Sequence, residues 1–233
     1  MPARGKFIVL EGIDGSGKRT QLEMLARAFE RRSMAFSRIS FPNYDGFFGK
    51  LVARFLNGEF GSLGAVDPHF SALLYAGDRL EAKASIEGAL AAGKTVLADR
   101  YIGSNLAHQG ARVASGERNE FLEWLEQLEY EIYELPPEDL VIYLRVPADE
   151  AQRLIAKKET RDYTRLQRDL LEADVAHLQA ASELYDELAL RRNWARIECF
   201  DAALHALRRP AAVHEEILAA VETRMFSALR DNR

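Results

Sequence analysis

The sequence predicts an α/β fold of three layers, a five-stranded parallel sheet flanked by helices on both faces. Three observations predict it. Short apolar runs alternate along the chain with longer stretches of helical periodicity. The first run, Phe7-Ile-Val-Leu, is continuous rather than alternating, as in strands buried on both faces. It leads into a glycine-rich turn that opens onto a helix. No repeat, low-complexity tract or linker divides residues 1–233, which read as a single domain.

The elements follow in order. After the strand at Phe7–Leu10, Leu22, Leu25, Ala26 and Phe29 share one helical face, which places a helix over Thr20–Arg32. A second strand covers Ala35–Phe41 and stops before Pro42. Helices are expected over Phe48–Leu56 and Phe70–Ala91, the latter closed by Gly93. Thr95–Asp99 makes the third strand, and helices over Ile102–Val113 and Asn119–Leu135 follow. Pro136-Pro137 ends the second of these and introduces the strand Leu140–Val146. A helix at Ala148–Lys157, a charged stretch, a long helix near Leu170–Leu190, a strand at Arg196–Phe200 and a helix over 210–230 complete the chain.

Composition narrows the function classes. With 31 basic and 36 acidic residues the net charge is −5. A duplex-binding surface is disfavoured, because neutralising a nucleic-acid backbone requires a basic face. No run approaches the roughly 18 apolar residues of a membrane span, and residues 1–6 do not read as a signal peptide. The single cysteine, Cys199, excludes an intrachain disulfide and a cysteine-built zinc site. A cytoplasmic enzyme or switch is the class that remains.

Gly12-Ile-Asp-Gly-Ser-Gly-Lys18 fits the phosphate-loop pattern G-x-x-x-x-G-K, between a strand and a helix as that motif requires. The whole therefore reads as a P-loop NTPase fold. Gly12, Asp14, Gly15, Ser16, Gly17, Lys18, Arg19 and Thr20 form the expected nucleotide-binding segment, with backbone N–H groups and Lys18 on the phosphates. Arg19 stands where a Ser or Thr hydroxyl usually ligates Mg²⁺. Thr20, one residue on, is rotated by about 100° on a helix and is no simple substitute. The candidate metal-holding groups are instead Asp14 and, at the end of the third strand, Asp99.

Three further segments stand out: Phe41-Pro-Asn-Tyr44 after the second strand, Asp78-Arg79 within the long helix and Asp99-Arg-Tyr101 after the third strand, so that Glu11-Gly12, Phe41-Pro42 and Asp99-Arg100 fall at strand ends. Open α/β sheets bind ligands beyond the carboxyl ends of their strands, so these segments should converge. Arg100 offers a bidentate fork for an anionic acceptor. Phe41 and Tyr75 offer aromatic faces, and Arg79 and Asn105 offer hydrogen bonds to a pyrimidine edge.

This ordered series, with Gly-Ile-Asp-Gly-Ser-Gly-Lys-Arg-Thr-Gln, resembles the thymidylate kinase family over nearly the whole chain. The resemblance implies transfer of the ATP γ-phosphate to dTMP with Mg²⁺, by a homodimer. It places Phe41, Tyr44, Tyr75, Arg79, Arg100 and Asn105 around dTMP, with Asp14 also facing the substrate. It makes residues 157–169 a closing lid in which Arg161 or Arg165 supplies a cation to the transferring phosphate. Asp169-Leu-Leu-Glu172 resembles the family's D-x-x-E segment and sets Glu172 toward the acceptor. Two positions depart from the family: His108 stands near the sugar where Tyr or Phe is usual, and Arg145 replaces a usual Asp. Two rivals are a deoxynucleoside kinase using Glu11 as base, and a catalytically impaired nucleotide-binding switch. Phe41-Pro-Asn-Tyr44 and Arg100 favour a phosphorylated acceptor.

Overall fold

The computed structural model describes residues 3–155, 171 and 175–225. The central sheet has strands β1 (Phe7–Glu11), β2 (Phe36–Ser40), β3 (Thr95–Asp99), β4 (Leu140–Arg145) and β5 (Trp194–Glu198), all parallel, in the order β2-β3-β1-β4-β5. β1 lies in the middle, and Phe7, Ile8, Val9 and Leu10 are completely buried there. That burial explains why its sequence is uninterruptedly apolar. The connection leaving β1 runs toward β2 while the one leaving β3 runs toward β4, so the chain diverges at neighbouring strand ends. A crevice opens at such a switch point.

The helices are α1 (Lys18–Arg31), α2 (Phe47–Leu56), α3 (Pro68–Ala91), α4 (Ile102–Gly110), α5 (Arg118–Glu126), α6 (Ala148–Ile155), α7 (Val175–Leu188) and α8 (Pro210–Met225). Pro68 occupies the first turn of α3 and Asp67 caps it, its carboxylate accepting from the N–H groups of His69 at 2.7 Å and Phe70 at 3.4 Å. α2 and α3 enclose a second apolar cluster of Val52, Phe55, Leu56, Val66 and Leu74, against which Tyr44 and Tyr75 pack. This satellite core carries the aromatic wall of the crevice.

Three local expectations change. The strand expected at Arg196–Phe200 begins two residues earlier, because pairing with β4 sets Val141 opposite Trp194 and Arg145 opposite Glu198. Phe200 instead opens a small antiparallel hairpin, β6 (Phe200–Asp201) with β7 (Ala206–Leu207), too short for any periodicity to reveal. The helix expected over Asn119–Leu135 is α-helical only to Glu126. Gln127–Ile132 continue as a π-helical turn, in which the Tyr133 N–H donates to the Leu128 carbonyl at 2.9 Å. α4 also ends at Gly110, short of Val113.

Candidate active site

The phosphate loop joins β1 to α1. Gly15 has φ +86°, and a Cβ there would lie 2.5 Å from the Ala151 carbonyl oxygen, so only glycine fits. Gly17, with φ +90°, caps α1 and leaves the first N–H groups of the helix without side-chain caps, which makes them donors for an anion. Lys18 is buried, its Nζ donating to the Gly12 carbonyl at 2.8 Å and the Ile13 carbonyl at 3.0 Å. Burial, reinforced by the Arg100 guanidinium, pushes its ammonium down to about 8 despite the nearby carboxylates of Asp14, Asp99 and Glu11.

Arg100 follows β3, where its N–H donates to the Leu10 carbonyl at 3.0 Å and locks the ends of β1 and β3 together. Its backbone adopts φ +69°, an uncommon conformation for a non-glycine residue and one that recurs at functional sites. One guanidinium nitrogen donates to the Asp14 carboxylate at 2.6 Å, and another donates to the Ser104 hydroxyl at 3.0 Å. This arginine thus stands between the phosphate loop and α4, with its planar fork ready for an anion.

Glu11 is fully buried and fully used. Its carboxylate accepts from the N–H groups of Tyr101 at 2.8 Å and Ser104 at 2.9 Å, from the Ser104 hydroxyl at 2.6 Å and from the Tyr185 hydroxyl at 2.9 Å. It therefore caps the start of α4 as an anion at a helix N-terminus. A carboxylate so engaged has no lone pair directed at a substrate hydroxyl, which removes the support for Glu11 as a general base.

Further along the crevice, Phe41 is buried against Tyr101, with ring centroids 5.7 Å apart. Asp78 does not pair with Arg79. It accepts from the Asn43 N–H at 3.1 and 3.2 Å, tying the Phe41–Tyr44 segment to α3, and burial pushes its carboxyl up to about 6. Arg79 is 1 % exposed and makes a bidentate pair with the completely buried Glu129, Nε and Nη2 lying 2.5 and 2.6 Å from the two carboxylate oxygens. Asn105 Nδ2 donates to the Ala72 carbonyl at 3.1 Å and to Glu129 at 2.9 Å, while its buried Oδ1 has no partner among the described residues.

These groups line one cleft of about 1520 Å³, which gathers Asp14, Gly15, Ser16, Gly17, Lys18, Arg19, Thr20, Phe41, Tyr44, Tyr75, Arg79, Asp99, Arg100, Asn105 and His108. Gly12 sits behind it, holding Lys18 through its carbonyl. The far wall is built by Cys199, Leu207, Arg208 and Val213, around the hairpin that the sequence did not reveal. Arg19 extends into solvent and pairs with Glu23 at 3.3 Å, so its side chain is directed away from a metal role. His108 is buried, with Nε2 3.4 Å from Arg100 and Nδ1 3.3 Å from His177 Nε2. Burial first, then the Arg100 and His177 charges, hold it well below its usual 6.5, hence neutral at pH 7. Arg161, Arg165 and Glu172 lie outside the described residues.

Arg145 lies outside the cleft, and its neighbours account for its sign. It faces Asp186 at 3.3 Å and Glu198 at 3.7 Å, and Arg196 pairs with the same two acids. Glu129 is the site residue that sequence reasoning missed, because it is one of many glutamates between Glu117 and Glu138 and its partner lies 50 residues away.

Among the described residues, no group of three or more His, Cys, Asp or Glu side chains could enclose a metal, and no helix is long and apolar enough to cross a membrane. Two buried oxygens in the cleft, Asp99 Oδ1 and Ser16 Oγ, have no hydrogen-bond partner among the described residues.

Comparison with known proteins completes the description. The profile of the family described as thymidylate kinase matches residues 10–202. A thymidylate kinase of Mycobacterium tuberculosis is 33% identical over 184 residues, covering 78% of this chain and 85% of that protein. A probable thymidylate kinase of Pyrococcus abyssi is 34% identical over 222 residues, covering 94% and 97%. The solved structure of a thymidylate kinase from Candida albicans shares the fold, with TM-score 0.74 at 20% identity over 96% of this chain and 93% of that one.

Proposed function

The chain belongs to the thymidylate kinase family, and from that membership we propose that it transfers the γ-phosphate of ATP to dTMP, giving ADP and dTDP. The observation that carries this reading is the placement of Arg100 across from the phosphate loop, held at 2.6 Å to Asp14, at the joined ends of β1 and β3. An acceptor phosphate on Arg100 faces a donor phosphate on Lys18.

In the reaction the bond from the γ-phosphorus to the β-bridging oxygen breaks and one to a dTMP phosphate oxygen forms, with ADP leaving. A phosphate monoester has its second pKa at about 6, so at neutral pH the nucleophile is already ionised and no proton must be removed. This fits a site in which Glu11 is committed elsewhere and His108 is held between Arg100 and His177. Lys18 and the loop N–H groups hold the donor, and Arg100 aligns the acceptor. Arg161 or Arg165 of the lid sequence adds charge to the transferring group, an effect that can reach on the order of 10³-fold or more. Alignment and charge neutralisation do the rest.

Mg²⁺ fits the donor set. Such an ion needs few protein ligands when phosphate oxygens and water fill the others, and Asp99 Oδ1 is a buried carboxylate oxygen without a partner among the described residues. Asp99 would hold the ion, while Asp14 is engaged by Arg100. When bound, the ion supplies positive charge to the phosphate oxygens. Phe41 and Tyr75 flank the acceptor base, and Arg79 with Asn105 reads its edge. Tyr44 and Glu172 complete the acceptor side, and the hairpin wall takes the donor's nucleoside.

The protein acts as a single kinase domain in the cytoplasm, where its buried lone Cys199 stays reduced. It acts as a homodimer, for which Phe70, Leu73 and Leu80 on α3 and Phe47 on α2 supply exposed apolar surface. A coupled ADP-release assay with dTMP, dUMP, UMP and thymidine as separate acceptors tests the function. Turnover with dTMP is expected. Turnover with thymidine but not dTMP would overturn it in favour of a hydroxyl acceptor.

A further inference from the structure

Glu129 is buried, charged and touches no surface of the cleft, yet it holds both side chains that face the pyrimidine edge. Its two oxygens accept from Arg79 Nε and Nη2, and one of them also accepts from Asn105 Nδ2. We propose that Glu129 is a positioning residue that fixes the hydrogen-bond polarity of the base pocket, and so makes the enzyme select 4-oxo over 4-amino pyrimidine nucleotides. The proposal rests on the thymidylate kinase reading and adds to it the origin of base choice.

The polarity follows from donor and acceptor counting. Both atoms facing the Asn105 amide nitrogen, the Ala72 carbonyl and the Glu129 carboxylate, can only accept. The atom beside them must therefore be the NH₂ group, and both of its hydrogens are used. The amide cannot turn over, and its Oδ1, buried and without a partner among the described residues, is left as an acceptor. Glu129 likewise occupies Nε and Nη2 of Arg79, leaving Nη1 with no hydrogen bond to the described residues. The pocket thus presents one donor, Arg79 Nη1, beside one acceptor, Asn105 Oδ1. A thymine or uracil edge offers the complement, the O4 acceptor beside the N3–H donor. A cytosine edge offers a 4-amino donor and an N3 acceptor, so both contacts oppose like with like. Sites built to hydrogen-bond a substrate group reject analogues that leave the buried partner unpaired, by about 10⁴ or more in the best cases.

Glu129→Gln weakens this lock. Its amide offers one acceptor where the carboxylate offered two, so Arg79 and Asn105 compete for it and the Asn105 NH₂ is left held inward chiefly by the Ala72 carbonyl. The experiment measures kcat/KM of the full chain for dTMP, dUMP and dCMP, in wild type, Glu129→Gln and Glu129→Asp. The wild type should prefer dTMP and dUMP over dCMP by at least about 10³-fold. In Glu129→Gln that preference should fall by about tenfold or more, while the dTMP to dUMP ratio, which involves the same edge, stays unchanged. Glu129→Asp keeps the charge that Arg79 requires and keeps both acceptors, but draws them back. It should retain the preference for dTMP over dCMP and raise KM for dTMP by about tenfold, with kcat and KM for ATP little changed.

A folded Glu129→Gln with wild-type preference, or Glu129→Asp with unchanged KM for dTMP, overturns the proposal. The Asp variant decides the matter should the Gln variant not fold. A wild type that uses dTMP and dCMP equally overturns the proposal alone, whereas one that uses no pyrimidine nucleotide overturns the kinase reading beneath it.

Discussion

Lys18 predicts that ATP binding takes up a proton. Its ammonium is pushed down to about 8 in the ligand-free protein, by burial first and by the Arg100 charge second. A triphosphate laid along the loop brings anionic oxygens to Nζ and restores the charged form. For a group at about 8, the free protein lacks about 0.1 proton at pH 7, about 0.5 at pH 8 and about 0.9 at pH 9, and binding must supply these. The phosphates of ATP contribute little at pH 8, since such groups ionise near pH 6. The ATP Kd should therefore weaken roughly tenfold between pH 7 and pH 9, about 1.4 kcal/mol. The sign for stability runs the other way. Because the folded pKa lies below the unfolded one, the ATP-free protein gains stability from this group as pH rises through about 8 toward 10.5. Isothermal titration calorimetry at pH 8, in buffers of different ionisation enthalpy, reads the uptake directly. Lys18→Met should show none. Tight wild-type binding with zero uptake at pH 8 would refute the reasoning.

Arg100→Ala should lower kcat/KM for dTMP by about 10³-fold while changing the ATP Kd by less than about threefold, read by steady-state kinetics and calorimetry. Gly15→Ala should abolish measurable ATP binding, because the added Cβ meets the Ala151 carbonyl at 2.5 Å and φ +86° disfavours any side chain; titration with ATP checks it. Arg145→Asp should destabilise the fold by about 1–2 kcal/mol, by setting a third acid beside Asp186 and Glu198. Denaturant melts measure that loss, and ATP affinity should not follow it.

Much of the architecture was legible in the sequence because it rests on local signals. The apolar run of β1, the glycines of the loop and Pro42 each state their conformation within a few residues. The meeting of Arg100 with the phosphate loop was legible too, since parallel strands bring their carboxyl ends to one edge. What stayed hidden depends on pairings that the chain does not announce. Glu11 reads equally as a candidate base or a structural acid at the strand end, and only the structure shows it capping α4. Arg79 reads as the neighbour of Asp78 and is bound to Glu129 across 50 residues. Arg145 reads as a lapse from its family, until Asp186 and Glu198 are seen on either side of it.

The wide turn at Gln127–Ile132 gives this region a strict dependence on chain length. A regular α-helix advances about 100° per residue and the wide turn takes up one residue more, so removing one residue there would shift the side chains inside the turn while those beyond it keep close to their register. Glu129 and Tyr130 are reached through that turn, as is the run to Pro136, whose carbonyl accepts from the Tyr101 hydroxyl. Substitutions along this stretch can be judged one at a time, but a single-codon deletion cannot. It would leave the phosphate loop and Arg100 spelled correctly while displacing Glu129 from Arg79 and Asn105, so alignments that place a gap between residues 127 and 132 mark chains in which those two side chains are held another way.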